Sequence, residues 1–385
     1  MFYLSQLQTA INLIRTYKGN EPFHTFLKKY FAANKKHGSK DRKNISSLCY
    51  NYFRLGKAAS KLSIQEAVLS GTFLCENKSH SLLEALKPEW NLFIADSIES
   101  KMGILKNEFK LWDIFPFDEL TGGIHHEKYA ASILIQPKVF IRIRPEKKQI
   151  VLQKLASADI AFQEISENCI AFESRVKVDS VLQLDKDAVV QDLNSQKTGR
   201  LMQIVKPGWK VWDCCAASGG KAVMIKDIEP NIDMTVSDKR ASILLNLNER
   251  FKTAGIKNYR TFVADLEKEN ATLPDEKYDL ILADMPCTGS GTWARTPEQL
   301  FYFNKNSIKK YSDLQIKIAQ KVIPFLKTGG YFLYITCSVF KQENEMIIDV
   351  LKNQFQLKVI ESNLFAGYES KADTLFAALL TSPTA

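Results

Sequence analysis

Residues 210–221 read Lys-Val-Trp-Asp-Cys-Cys-Ala-Ala-Ser-Gly-Gly-Lys, and this stretch decides the fold. Its first five residues have the length and apolar character of a strand, and small residues, two adjacent glycines and a helical pattern follow. Paired glycines let a backbone approach a ligand, and the start of the next helix offers unpaired N–H groups. The spacing is neither the dinucleotide fingerprint nor the Walker A loop, and a tight turn without any ligand is the competing reading. Working outward, further strands are read at 234–237, 259–263, 278–283, 331–335 and 357–360, with 374–380 as a seventh. The longest intervening helices are read at 240–254 and 308–326. Alternation of this kind predicts an α/β domain over 189–385: a Rossmann-like, doubly wound, mostly parallel sheet covered on both faces.

Two regions of different period precede it. From Phe2 to about Ile124 the pattern is helical. Leu4, Leu7, Ile11, Ile14 and Tyr17 repeat at three- and four-residue intervals, as do Ile45, Leu48, Cys49, Tyr52, Phe53 and Leu55. A helical bundle is expected over 1–127. Between 128 and 188 the alternating Val-Phe-Ile-Arg-Ile-Arg of 139–144, a helix at 147–158 and a strand at 170–174 suggest a small α+β, RNA-recognition-like unit.

Bulk composition narrows the classes. An apolar fraction of 45% and a charged fraction of 25% are those of a globular protein, and no apolar run approaches a membrane span. The expected compartment is the cytoplasm. Seven cysteines show neither metal spacing nor a disulfide framework. All five histidines precede residue 127, so chemistry in the C-terminal region runs without a histidine base, and no metal site is expected. The net charge of +9 favours a polyanionic partner. Lys28, Lys29, Lys35, Lys36, Lys40, Arg42 and Lys43 crowd around the single Asp41, as a solvated face or as a phosphate-contacting patch.

The strand ends carry the chemistry. In an open α/β sheet, strand carboxyl ends meet at the ligand crevice. The second strand ends at Asp238, the third at Asp265 and the fourth at Asp284. A lone aspartate is more often a helix cap, but three at consecutive strand ends beside a glycine turn read as a pocket for adenosine and an amino acid. That set points to S-adenosyl-L-methionine rather than NAD. Cys287, in Asp284-Met-Pro-Cys-Thr-Gly-Ser-Gly, and Cys337, in Thr336-Cys-Ser, follow neighbouring strands and can face one substrate. A pyrimidine C5 is a poor nucleophile until a thiolate adds at C6. Collapse of that adduct needs a base, and a second thiol or a carboxylate would serve. Asp284 can sit beside the ring and bond its N3/N4 edge. The remaining cysteines, 49, 75, 169, 214 and 215, read as small buried apolar side chains.

Together these segments resemble the RNA cytosine-C5 methyltransferases of the Fmu/Sun family. The family's Asp-x-Cys-Ala-Ala-Pro-Gly-Gly-Lys is matched by 213–221, with Ser218 in place of proline. Its Asp-x-Pro-Cys-Ser-Gly-x-Gly is matched by 284–291, with Thr288 for serine. Its Thr-Cys-Ser and Glu-Asn-Glu are matched by 336–338 and 343–345, and its Gln-Asp-x-x-Ser-Gln by 191–196. The resemblance covers roughly 137–380. It implies a class I methyltransferase fold, with Cys337 as the attacking thiolate and Cys287 assisting product release. It also implies that Cys215, Ala216, Ala217, Ser218, Gly219, Gly220, Lys221, Asp238, Asp265 and Asp284 line the S-adenosyl-L-methionine site. More loosely, the N-terminal helices are similar to the NusB-like RNA-binding domain of bacterial ribosomal-RNA members, through Asp41-Arg42 and Tyr52-Phe-Arg-Leu-Gly56. The expectation is a monomeric rRNA cytosine-C5 methyltransferase, with transfer RNA as the runner-up substrate. A non-catalytic RNA-binding protein and a nucleotide-dependent oxidoreductase are the rivals from other classes.

Overall fold

The computed structural model describes residues 2–105, 108–173 and 176–383, so Ser174, the last residue of the strand read at 170–174, lies outside the described residues. By packing, the chain parts into two compact units, which divide the chain differently from the element-type boundaries at 127 and 188.

The first unit comprises the chain up to Asp118, Ile124–Gln136 and Thr292–Asn304. Its long helices are Phe2–Thr16, Phe23–Ala33, Ser39–Arg54 and Ile64–Cys75. The apolar stripes read from sequence are buried from Leu7 to Tyr17 and from Ile45 to Leu55, but Leu4 is 44% exposed; its turn precedes the packed length of the helix. Ser63 caps the fourth helix, accepting from the Glu66 N–H while the Glu66 carboxylate accepts from the Ser63 N–H. Gly71 brings that helix against the third, since a Cβ there would lie 2.2 Å from the Asn51 carbonyl oxygen. The lysines of the basic stretch are exposed, Lys29 pairs with Glu21, and the Arg42 guanidinium donates to the His37 carbonyl.

Thr292–Asn304 joins this unit although it follows Cys287 by only a few residues. Arg54, 2% exposed, donates to the carbonyls of Ile133 and Ala294 at 2.6 and 2.9 Å. The Lys57 ammonium donates to those of Phe301 and Phe303, and the Tyr302 hydroxyl to that of Tyr17. Nothing in the local sequence pattern announces this placement, because the hydrogen bonds that hold 292–304 join residues more than 200 positions apart.

The second unit comprises Glu119–Gly123, Pro137–Gly291 and Lys305–Ala385. It opens with a four-stranded antiparallel sheet of β1 (Val139–Ile143), β2 (Gln163–Ser166), β3 (Cys169–Phe172) and β4 (Ala188–Val190), in the order β2-β3-β1-β4. The helix Lys148–Ser157 packs Val151 and Leu155 on the face that carries Ile141, Ile143, Ile170 and Phe172. The opposite face, with Phe140 and Ala171, meets Leu193 and Ala372. Strand alternation at β1 is therefore not a division between core and water. Arg142 and Arg144 both pair at 2.6 Å with Asp227, on the helix Gly220–Ile228, and lock the small sheet to the large one.

The large sheet contains β5 (Lys210–Asp213), β6 (Asp233–Asp238), β7 (Tyr259–Val263), β8 (Tyr278–Asp284), β9 (Leu326–Thr336), β10 (Lys358–Phe365) and β11 (Leu375–Thr381). Their order is β10-β11-β9-β8-β5-β6-β7. The first five strands pair in parallel, and β10 and β11 run antiparallel at one edge. One face presents Val211, Met234, Leu280, Leu282, Leu333 and Ile335 to a core shared with Leu244, Leu247 and Phe251. The other presents Trp212, Ile281, Ala283, Phe332 and Tyr334 to Ile318, Ala319, Ile348 and Leu351. Burial on both faces explains why these strands read as continuous apolar runs. The sheet reverses its winding between β5 and β8, and the crevice at that switch point is where a ligand belongs in such a fold.

Candidate active site

The site grows from the turn after β5. The Ala216 N–H donates to the Ser237 carbonyl at 2.9 Å and that of Cys214 to the Leu282 carbonyl at 3.0 Å, which pins the turn to both neighbouring strands. Ala217 and Gly219 take positive φ of 46° and 82°. At Gly219 the freedom is needed twice, because a Cβ would also press on Leu247 and Phe251 at 3.0 Å.

A cleft of about 440 Å³ opens beside this turn, lined by Cys215, Ala217, Asp238, Asp265, Asp284, Cys287 and Cys337 among others. Seven of the twelve residues singled out from sequence thus share one cavity. The other five support it. Ala216 is buried in the sheet core, Ser218 accepts from Arg250, and Gly219 and Gly220 form the turn and the helix start. Lys221 reaches back from the helix, and its ammonium donates to the Asp284 carboxylate at 2.6 Å. Cys49, Cys169 and Cys214 are buried as small apolar side chains and Cys75 is half-buried, whereas Cys215 faces the cleft.

Each acid has a distinct setting. Asp238 is 7% exposed and accepts from the N–H groups of Ala217 and Arg240, both at 3.0 Å. Asp265 closes a local turn through the Glu267 N–H. Asp284 stands at the end of β8 beside Lys221. Burial would lower the Lys221 pKa, but the adjoining Asp284 carboxylate, then Cys337 and Asp213, raise it on balance. Lys221 therefore stays an ammonium ion. Asp213, 1% exposed beneath the turn, is pushed up to about 8 by burial and by the charge of Asp284.

The two thiols meet. Cys287 Sγ and Cys337 Sγ are 3.4 Å apart, a hydrogen-bonding separation for sulfur. The hydrogen bond with Cys337, followed by burial, drives the Cys287 pKa far upward. Behind the pair lies a buried polar knot. Glu343 and Ser338 are 0% exposed, and Glu343 accepts from the Thr288 N–H and hydroxyl at 2.9 and 2.6 Å and from Ser338 at 2.5 Å. Gly291 passes so close that a Cβ would lie 1.9 Å from the Thr374 carbonyl oxygen.

Sequence reasoning did not single out Arg240, Leu266, Tyr311 or Leu314, all of which line the cleft. Tyr311 and Leu314 lie on the helix Asn306–Val322, and a three-residue spacing on a helix facing the thiols is the only signal that could have marked them. Among the described residues no group of histidines, cysteines and acids could hold a metal ion, and no helix is long and apolar enough to cross a membrane.

Residues 202–380 match the family model described as 16S rRNA methyltransferase RsmB/F. A probable ribosomal RNA small subunit methyltransferase B of Bacillus subtilis is 25% identical over 66% of this chain and 58% of its own length. The ribosomal RNA small subunit methyltransferase B of Xanthomonas campestris is 30% identical over 42% of this chain and 37% of its own. The chain thus spans less than two thirds of either relative. A probable methyltransferase B of Coxiella burnetii is 26% identical over 88% of this chain and 89% of its own length. Among solved structures, PH0851 superposes with a TM-score of 0.74 at 18% identity, covering 97% of this chain and 98% of that one. A methyltransferase homolog protein from Pyrococcus horikoshii gives 0.59 at 19% identity, over 72% and 97%. At such identities the likeness is one of fold.

Proposed function

We propose that this protein, whose residues 202–380 match the RsmB/F methyltransferase family model, methylates C5 of a cytosine in ribosomal RNA, with S-adenosyl-L-methionine as donor. The observation that carries the reading is the pair of thiols 3.4 Å apart in the same cleft as three strand-end carboxylates.

The cleft fits the donor. Its apolar wall of Leu266, Met285, Leu314 and Ile318 suits a flat base, Asp238 suits ribose hydroxyls, and the acids suit a sulfonium and an ammonium group. S-adenosyl-L-methionine, when bound, supplies the methyl group. The chain's own residues prepare the acceptor. Cys337 adds to C6 of the pyrimidine as a thiolate with Lys221 beside it as a fixed cation, and C5 gains the electron density it lacked. Asp284, oriented by Lys221, accepts from the exocyclic amino group. Once the charge on Cys337 is consumed in the sulfur–carbon bond, the interaction that held the Cys287 proton in place is gone. Cys287 can then release its proton to solvent in the cleft and, as a thiolate, take the C5 proton as the bond from C6 to sulfur breaks and Cys337 leaves as a thiolate. A target cytosine must be unstacked or presented in a loop for C6 to be reached.

Incubating the protein with small-subunit RNA and labelled donor, followed by bisulfite sequencing, tests the reading. Cys337→Ala should abolish transfer while leaving donor binding unchanged. Cys287→Ala should accumulate a protein–RNA adduct that survives denaturation, because addition proceeds and collapse stalls. Retained turnover in the first variant, or no slow-migrating band in the second, overturns the respective role.

A further inference from the structure

Two chemically equivalent thiols in contact pose a question that the reaction alone does not answer: which of them carries the proton they share. The surroundings are not symmetric. On the side of Cys337 stands Lys221, whose ammonium feels both Asp284 and that thiol. Behind Cys287 stands Glu343, at 0% exposure. Its carboxylate accepts from the peptide N–H that directly follows Cys287, at 2.9 Å, and from the Thr288 hydroxyl. Two more donors, Ser338 Oγ and Gln315 Nε2, complete its coordination. Burial raises the Glu343 pKa on balance, and the bonds from Ser338, Thr288 and Gln315 oppose that rise. Four donors converging on one carboxylate favour its acceptor, charged form. From the loop of Cys337 the Ser338 hydroxyl donates to the same carboxylate.

We propose that Glu343 is a positioning residue that decides which thiol is protonated, keeping the proton on Cys287 and leaving Cys337 as the thiolate. The inference rests on the cytosine-methylating reading for its purpose but not for its measurement. An anion behind one sulfur and a cation beside the other polarise the pair in a fixed direction. The same carboxylate ties the two cysteine loops together through Thr288 and Ser338, so geometry and charge act in concert. The other ionisable groups facing the pair are Asp284 on β8, Asp213 on β5, Tyr311 on the helix Asn306–Val322 and Tyr334 on β9. Asp284 is neutralised by Lys221, and the two phenols and Asp213 are shifted toward their protonated forms by burial first. Glu343 differs from these in the four donors that converge on its carboxylate.

The test is the partition of iodoacetamide between the two cysteines in the folded full-length protein, read by peptide mass spectrometry at several pH values. Wild type should label mainly at Cys337. Glu343→Gln keeps an acceptor for the Thr288 N–H but removes the charge, and should raise the Cys287:Cys337 labelling ratio by roughly three- to tenfold, the difference between the effects of one charge on two sulfurs 3.4 Å apart at an effective dielectric of about 20. Glu343→Asp, which restores the charge, should return the ratio toward wild type, as a purely structural role would not. An unchanged ratio in Glu343→Gln overturns the proposal. Should that variant not fold, thiolate absorbance in the single variants Cys287→Ala and Cys337→Ala decides. The remaining Cys337 should ionise at lower pH than the remaining Cys287, and equal or reversed values refute the inference. Because labelling needs neither RNA nor donor, failure here is distinguishable from failure of the proposed reaction.

Discussion

Replacing Gly291 with alanine probes whether the close approach between the cysteine loops and β11 is required. Its φ is ordinary, so backbone conformation alone would tolerate alanine, and only the surroundings forbid it. The added Cβ would lie 1.9 Å from the Thr374 carbonyl oxygen and 3.0 Å from that of Cys337. Relief requires the backbones to separate by about 1 Å or more, since Cβ atoms do not approach oxygen within about 3 Å. That movement breaks two buried hydrogen bonds, from the Gly291 N–H to the Cys337 carbonyl at 2.8 Å and from the Thr374 N–H to the Gly291 carbonyl at 2.9 Å. At roughly 1 kcal/mol for each lost bond, plus a similar amount for the polar groups left unpaired, the cost is about 3 kcal/mol. For a unit of this size the melting temperature should fall by roughly 6–12 °C, and methyl transfer should fall with it, because the carbonyl of Cys337 is a party to the contact. Differential scanning calorimetry of both variants, with Gly103→Ala as the control, measures this. Gly103 sits in the helix Ile98–Ile104, where an added Cβ would meet nothing within 4 Å, so that change should be neutral or stabilising by about 0.5–1 kcal/mol. Wild-type melting and activity in Gly291→Ala would refute the steric argument.

Three further outcomes are expected. Asp238→Asn should weaken binding of the methyl donor by roughly tenfold or more, the value of a charge-assisted hydrogen bond, and titration calorimetry giving wild-type affinity would remove Asp238 from the donor site. Lys221→Met should slow alkylation of Cys337 at neutral pH by about 10-fold or more, because an adjacent cation lowers the pKa of an anionic group by roughly 1–3 units. Its stability cost should be only about 1 kcal/mol, since Asp284 is 38% exposed and water screens the lost pair. Asp213 has a folded pKa of about 8, above its unfolded value, so its contribution to stability is fully present below about pH 4 and is lost as pH rises to about 8. Asp213→Asn should therefore leave urea unfolding unchanged near pH 4 and stabilise the protein progressively toward pH 8, by several kcal/mol at most; a pH-independent difference would show that the carboxyl is not buried in its neutral form.

Much of this molecule is legible in one dimension. Strand runs such as 210–214 and 278–283 announce themselves because both faces are buried, so most residues in them are apolar and the acids gather at their ends. The glycine turn, the three strand-end aspartates and the two cysteine motifs are local signals, since each is a short segment whose chemistry depends on adjacent residues. Gln163–Ser166 gives no such signal because all four residues of that strand are exposed, which leaves no apolar period to read. Ala188–Val190 is too short to show one. Leu4 reads as core because periodicity continues along a helix past the point where its neighbour ends.

Relations across distance are settled only by packing. The sequence can put Cys287 and Cys337 at the ends of neighbouring strands, but the 3.4 Å between their sulfurs follows from the parallel register of β8 and β9 and from the Glu343 knot behind them. Lys221 looks like part of a ligand turn, yet its four-carbon stem carries the charge across to Asp284. Arg142 and Arg144 look like the solvent side of a strand and prove to share one carboxylate 85 and 83 residues away. Residues 292–304 follow a cysteine motif of the second unit and fold into the first. Local pattern fixes which elements form, because the period of burial is written in neighbouring residues. Which side chains meet is decided by the register and the return path of the chain, and no short window of sequence contains either.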